Sequence, residues 1–267
     1  MTNKVLDRMN VDQVNLAGWP HVQLTRKQFA ELMLQDCKLN EAENFSHLPK
    51  LAFSMNGQAL SLCSTSDEFK SAMMKADYIQ ADGQSLIIAS RLIDSRNSLP
   101  ERIATTDFFH DAAEVATANN LKFYFLGASE DMISAAVAEV RKTYPDLNVV
   151  GYRNGYFDIK DEEEICKAIT ESGADVLWVG MGKPKEQLFC IRNRERLKGV
   201  SWIKTCGGLF DFLCGRNKRA PQWMQDYGLE WAHRTLSDPK RFLWRYLTTN
   251  VHTILILWNG RNVRSHD

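Results

Sequence analysis

Short apolar runs alternate with longer stretches of helical period along most of the chain. Residues 51–55 (Leu-Ala-Phe-Ser-Met), 121–126, 148–150, 176–179 and 200–203 are brief and rich in aromatic and β-branched side chains. They lack the polar alternation of a half-solvated strand, so they predict strands buried on both faces. Between them, segments 67–76, 84–93, 107–118, 130–144, 161–172 and 185–197 space their apolar residues for helices. Such alternation predicts an α/β fold, a mostly parallel Rossmann-like sheet with helices on both faces. After Gly215 the pattern changes to a basic, aromatic-rich tail. The expected division is a catalytic α/β domain over 1–214 and a helical appendage over 215–267.

In open parallel sheets ligands bind beyond the carboxyl ends of the strands, which directs attention to the loops found there. These read Ser54-Met-Asn56, Ala81-Asp-Gly83, Leu126-Gly-Ala-Ser129, Gly151 to Phe157, Gly180-Met-Gly-Lys-Pro184 and Cys206-Gly-Gly208. Gly127, Gly180 and Gly182 permit close backbone approach, and a following helix N-terminus favours phosphate. Neither the dinucleotide glycine fingerprint nor the P-loop lysine is present, which counts against NAD and ATPase chemistry. Asp82 is the best general-base candidate, because a carboxylate is ionised at neutral pH without special tuning. Its competing role is a plain N-cap of the helix that follows. Arg102, near Thr105, Thr106 and Asp107, can clamp a diphosphate through its forked donors or pair with Glu101 or Asp107.

The bulk numbers narrow the partners. Of 267 residues, 44% are hydrophobic and 25% charged, enough to bury a full core. Formal net charge is zero, which argues against a nucleic-acid binder. The distribution is uneven: from Gly215 onward nine Lys/Arg face four Asp/Glu, net +5, leaving −5 on the first 214 residues. The N-terminus lacks the apolar region of an export signal, and no run approaches the roughly 18 apolar residues of a membrane span. Six cysteines without C-x-x-C spacing read as reduced, buried thiols of a cytosolic protein. The histidines are unclustered and Asp-x-Asp is absent, so no protein-held metal is expected. In the tail, Asp238-Pro239 opens a helix over 240–247 that carries Arg241 and Arg245 four apart beside Phe242, Trp244, Tyr246 and Leu247. Either it lies in the interface of an anionic membrane or it docks on the core.

Read in order, Ala81-Asp-Gly83, Pro100-Glu-Arg102, Phe125-Leu-Gly127, Gly155-Tyr-Phe157, Gly180 to Lys185, Gly207 to Phe212, Lys218-Arg-Ala-Pro221, Gly228-Leu-Glu-Trp231 and Pro239-Lys-Arg241 resemble the WecG/TagA/CpsF family of bacterial glycosyltransferases. The likeness covers roughly residues 50 to 247, with little from the first fifty. It implies an inverting, metal-independent transfer at the inner face of the cell membrane. A hexose or N-acetylhexosamine, of N-acetylmannosamine type or glucose, would pass from UDP to an undecaprenyl-diphosphate-linked sugar. The product would enter cell-surface polysaccharide or exopolysaccharide synthesis. No cofactor is implied, since the UDP-sugar is itself a substrate.

The resemblance makes Asp82 the base that deprotonates the acceptor hydroxyl and Arg102 the residue that steadies the donor diphosphate. It puts Ser54, where threonine is frequent, with Asn56, Thr106, Asp107, Gly127, Tyr156, Phe157, Gly180, Met181, Gly182, Pro184, Glu186 and Gln187 around the donor. One departure is Pro184-Lys-Glu-Gln187, where the family usually reads Pro-Lys-Gln-Glu, so that Glu186 would read a different donor hydroxyl. Arg234, Arg241 and Arg245, and more weakly Lys218 and Arg219, would bring the appendage to the bilayer and close it over the site. Each basic side chain near an anionic surface is worth about 1 kcal/mol. Self-association into a homo-oligomer also belongs to the family's behaviour. A nucleotide-sugar-binding regulatory module without transfer activity is the alternative reading.

Overall fold

The computed structural model describes residues 11–263, apart from the side chains of Arg241, Phe242, Arg245 and 259–263. Arg241 and Arg245, expected at the membrane, thus have side chains outside the described residues. The chain opens with a hairpin, β1 (Gln13–Leu16) and β2 (Trp19–Val22), turned by Ala17 and Gly18 at positive φ. Helix α1 (Arg26–Ala42) follows, closed at its start by a Thr25/Gln28 capping box. Next come β3 (Lys50–Met55), α2 (Gly57–Thr65), α3 (Asp67–Met73), β4 (Tyr78–Ala81), α4 (Gln84–Ile93) and α5 (Thr105–Ala118). The second half runs β5 (Lys122–Gly127), α6 (Glu130–Thr143), β6 (Asn148–Arg153), α7 (Glu162–Glu171), β7 (Val176–Gly180), α8 (Lys185–Asn193) and β8 (Trp202–Thr205). Helix α9 (Leu209–Leu213) closes this half, and the tail forms α10 (Gln222–Asp226), α11 (Glu230–Ser237) and α12 (Pro239–Val263).

Strands β3 to β8 make one six-stranded sheet in the order β4-β3-β8-β7-β5-β6, and each paired register is parallel. The α/β reading is therefore correct. Successive side chains of a strand point to opposite faces, and the core divides accordingly. Ala52, Phe123, Phe125, Val176, Trp178 and Trp202 join one apolar layer with α1, α5, α6 and α9. Their neighbours Leu51, Phe53, Tyr124, Leu126, Leu177, Val179 and Ile203 join the other, covered by α2, α3, α4, α7, α8 and the hairpin. Burial on both faces explains the apolar runs of β3, β5 and β7, whereas β6, also expected to be buried, is an edge strand without a buried residue.

The expected strands and helices of the sheet region are present with shifted ends, the largest shift there being α8, which stops at Asn193 rather than 197. The pattern did not disclose the hairpin, α1, α2 or β4. In α1 the inward face includes the polar residues Asp36 and Asn40, which blur its helical period. Asp36 Oδ2 accepts hydrogen bonds from Trp202 Nε1 and Tyr78 Oη, each at 2.9 Å, so the polar group is accommodated inside.

The tail packs on the sheet domain. Thr253 of α12 donates to the carbonyl of Gly57 at 2.7 Å, and His252 Nδ1 lies 2.9 Å from Ser61 Oγ on α2. Ile256 and Leu257 pack on the neighbouring apolar layer. On the opposite side Trp244, Leu247, Val251, Ile254, Leu255 and Trp258 are exposed. At about 100° per residue these six fall within an arc of about 100°, a continuous apolar stripe. The helix is also longer than the expected 240–247. Among the described residues no helix is long and apolar enough to cross a membrane.

The carboxyl ends of β5 and β7 meet at glycines. Gly127 has φ +149, and a Cβ there would lie 2.2 Å from the Gly180 carbonyl oxygen. Gly127→Ala is expected to lower the unfolding free energy by about 3 kcal/mol, through steric overlap and a disfavoured backbone region. Urea denaturation of the two proteins measures it.

Candidate functional site

Asp82 follows the last residue of β4 and is half-buried. Its carboxylate does not cap α4, whose N-cap Gly83 receives no side-chain bond. It reaches instead to the start of α5, where Oδ1 accepts the Thr105 N–H at 3.2 Å and Oδ2 accepts the Thr105 hydroxyl at 3.3 Å. Each oxygen keeps a further lone pair for an incoming hydroxyl.

Behind Asp82 lies a buried polar group. Lys204 of β8 is fully buried, and its Nζ donates to Ser54 Oγ at 2.8 Å and to the Thr205 carbonyl at 2.6 Å. Ser54 Oγ is 2.9 Å from Thr105 Oγ1, and Gln80 Nε2 donates to the Ile103 carbonyl at 3.1 Å. Burial pulls the Lys204 ammonium down to about 8, with the Asp82 charge opposing the shift. Ser54, expected at the donor, is 4% exposed and has its hydroxyl turned into this group. Asn56 caps α2, its Oδ1 accepting the Ala59 N–H at 3.1 Å. Lys204 was missed from sequence, although a lysine inside an otherwise apolar strand run is itself a signal.

The loops after β7 and β8 are joined by Glu186. Its Oε2 accepts the N–H of Gly182 at 3.1 Å and of Gly207 at 3.0 Å, and Gln187 Nε2 donates to its Oε1 at 3.2 Å. Both side chains are buried. The expectation that Glu186 reads a donor hydroxyl is therefore corrected: its carboxylate is consumed in holding two glycine loops together. Gly127 and Gly180 serve the close approach of β5 and β7, whereas Gly182, at φ +77, has open space where a side chain would stand. Met181 packs beside Gly155, and Pro184 precedes α8 as its N-cap. Tyr156 is 79% exposed, while Phe157 packs edge-on against Phe189. Lys185 donates to the Gly155 carbonyl at 2.7 Å, and its Nζ lies 5.2 Å from the Phe157 ring centroid. An open cavity of about 470 Å³ is lined by Tyr156, Phe157, Asp158, Asp161 and Lys185. A larger one of about 520 Å³ lies beside the hairpin and the start of β4, with Trp19 and Asp77 in its wall, away from these loops. Among the described residues no group of three His, Cys, Asp or Glu side chains is placed to hold a metal ion.

Arginines converge from the other side. Arg102 donates to Glu230 Oε2 at 3.1 Å and to Gln225 Oε1 at 3.2 Å, with Asp107 3.7 Å away. Arg219 bonds Asp107 at 3.1 Å and also reaches Gln225. Arg234 donates to Glu230 Oε1 at 2.7 Å and stacks over Phe212 at 5.1 Å. Burial alone would raise the Glu230 carboxyl, but Arg234, Arg219 and Arg102 outweigh it and hold it below its ordinary value. Arg234 also feels the charge of Asp82. Thr106 is half-buried in the first turn of α5 beside Asp107. The structure thus brings Asp82, Arg102, Asp107 and Arg234 to one edge of the sheet.

A depressed Glu230 pKa means that docking of α11 is fully supported above its ordinary value and is lost as pH falls through the lower, folded-state value. Glu230→Gln is expected to loosen α10 and α11 already at neutral pH. Hydrogen exchange over residues 222–237 measures this, with at least tenfold faster exchange in the variant.

Comparison with known proteins agrees with this geometry. The description "Glycosyl transferase WecG/TagA/CpsF family" matches residues 14–266, so the match takes in the hairpin and α1, beyond the stretch that the motifs marked. The N-acetylglucosaminyldiphosphoundecaprenol N-acetyl-beta-D-mannosaminyltransferase of Bacillus subtilis (strain 168) is 29% identical over 198 residues, 74% of this chain and 75% of that protein. The protein of the same name from Staphylococcus aureus (strain MW2) is 26% identical over 237 residues, 89% of each chain. With the match running from the hairpin through the arginine-bearing tail, the chain belongs to the WecG/TagA/CpsF family of glycosyl transferases.

Proposed function

We propose that the protein transfers a hexose or N-acetylhexosamine from a UDP-sugar to a polyprenyl-diphosphate-linked sugar, inverting the anomeric centre in a direct displacement. The observation that carries this reading is the Asp82 carboxylate, held by Thr105 at the open edge of the sheet with acceptor capacity to spare. As the acceptor oxygen attacks the donor C1, its proton passes to Asp82. The bond from C1 to the phosphate oxygen breaks, and UDP departs with the electron pair. The guanidiniums of Arg102, Arg219 and Arg234 surround Glu230, and a diphosphate entering there meets donors already arranged for anionic oxygen. The names of the relatives favour an N-acetylmannosamine-type donor, with glucose as the other member of the test panel.

The exposed stripe of α12 supports peripheral attachment to the inner face of an anionic membrane, where the lipid-linked acceptor resides. Its outer residues, with Trp244 77% exposed, are left open to water among the described residues.

Two outcomes are expected. In a panel of UDP-sugars assayed with short-chain polyprenyl-diphosphate sugars, one donor yields product, and Asp82→Asn lowers kcat by about 10²–10⁴-fold while UDP still binds. Near-normal turnover in Asp82→Asn removes the base assignment, and UDP binding without product from any donor removes the transferase reading. Trp244→Ser combined with Leu247→Ser and Trp258→Ser abolishes co-sedimentation with anionic vesicles and leaves the far-ultraviolet circular dichroism spectrum unchanged. Undiminished co-sedimentation removes the membrane assignment.

A further inference from the structure

The geometry points to Lys204 as a positioning residue that acts on Asp82 through a one-way hydrogen-bond relay, Lys204 to Ser54 to Thr105 to Asp82. This inference rests on the reading of Asp82 as the base.

An ammonium group is costly to bury without a counter-charge, yet Lys204 Nζ is fully buried and donates to two neutral oxygens. Its nearest route to a negative charge runs through two hydroxyls. Lys204 Nζ lies 2.8 Å from Ser54 Oγ, Ser54 Oγ lies 2.9 Å from Thr105 Oγ1, and Thr105 Oγ1 lies 3.3 Å from Asp82 Oδ2. The two ends fix the direction. An ammonium only donates, an ionised carboxylate only accepts, and each hydroxyl has a single proton to give. Both hydroxyl protons must then point towards Asp82. The other acceptor within reach of Ser54, the Thr205 carbonyl, is farther away at 3.5 Å and is already bonded to the lysine.

The relay has two effects on the carboxylate. It commits the Thr105 hydroxyl to Oδ2 while the Thr105 N–H holds Oδ1, so the plane of the carboxylate is set before the acceptor arrives. It also places a positive charge behind the base, two hydroxyls away from the carboxylate. With an ammonium that titrates near 8, the charge is in place at neutral pH. The other charged or titratable groups facing this pair are Glu186 of α8, Cys206, Lys183 and, from the appendage, Arg234.

The test replaces the head group and keeps the stem. In Lys204→Met the Asp82 carboxyl titration midpoint, followed by carbon-13 NMR with the Asp82→Asn spectrum as assignment, is expected to rise by about one unit. In the transfer assay kcat falls at least tenfold at pH 7, its acid limb moves to higher pH, and the donor KM stays within twofold. Thr105→Val, which cuts the relay and leaves the lysine, is expected to raise the midpoint and lower kcat, and Thr105→Ser to restore both. This pair decides the matter should Lys204→Met fail to fold. An unchanged midpoint in Lys204→Met, or in Thr105→Val, overturns the relay. Because the midpoint is read without turnover, that outcome is distinct from an active Asp82→Asn, which overturns the base assignment instead.

Discussion

Parallel strands deliver their carboxyl ends to a single edge, and the polar groups gathered there must be satisfied within that edge or by what binds to it. Glu186 is used to neutralise the backbone N–H groups of Gly182 and Gly207, which holds two loops in register. Lys204 is used to polarise Ser54. Asp82 combines a fixed carboxylate with partial exposure and unused acceptor positions. Most of the interior groups beside it are bonded to one another, Lys204 to Ser54 and Gln187 to Glu186 among them.

The tail obeys the same constraint from the opposite direction. Three arginines approaching a single edge would repel one another, and Glu230, with help from Asp107 and Gln225, makes their assembly stable. The appendage therefore brings its own counterion. Helix α12 extends this docking through Thr253 and His252 on α2 while directing an apolar stripe away from the protein. The two readings of the tail, membrane surface or docked helix, are thus compatible, because they concern opposite faces of one helix.

Much of the fold was legible because strands buried on both faces leave continuous apolar runs, and their loops carry glycines and polar residues at fixed places. What escaped were elements whose pattern is mixed. Helix α1 turns Asp36 towards Tyr78 and Trp202, and the short strand β4 carries Gln80 in its middle. A polar residue inside an element is unreadable until its partner, distant in sequence, is known. Glu186 was misread for the same reason: its partner Gly207 lies 21 residues away.

The sequence by itself determined the alternation of strands and helices, the loops that collect at the sheet's carboxyl edge, the unequal charge of the tail and the motifs of the family. These depend on neighbours along the chain and on residue type. Only the tertiary structure decided which polar residues face a ligand and which are spent on other parts of the protein. Glu186 carries the same carboxylate as Asp82, and what separates the two is burial and the identity of their hydrogen-bond partners. Those are properties of packing across the sheet, where residues more than a hundred positions apart come within bonding distance.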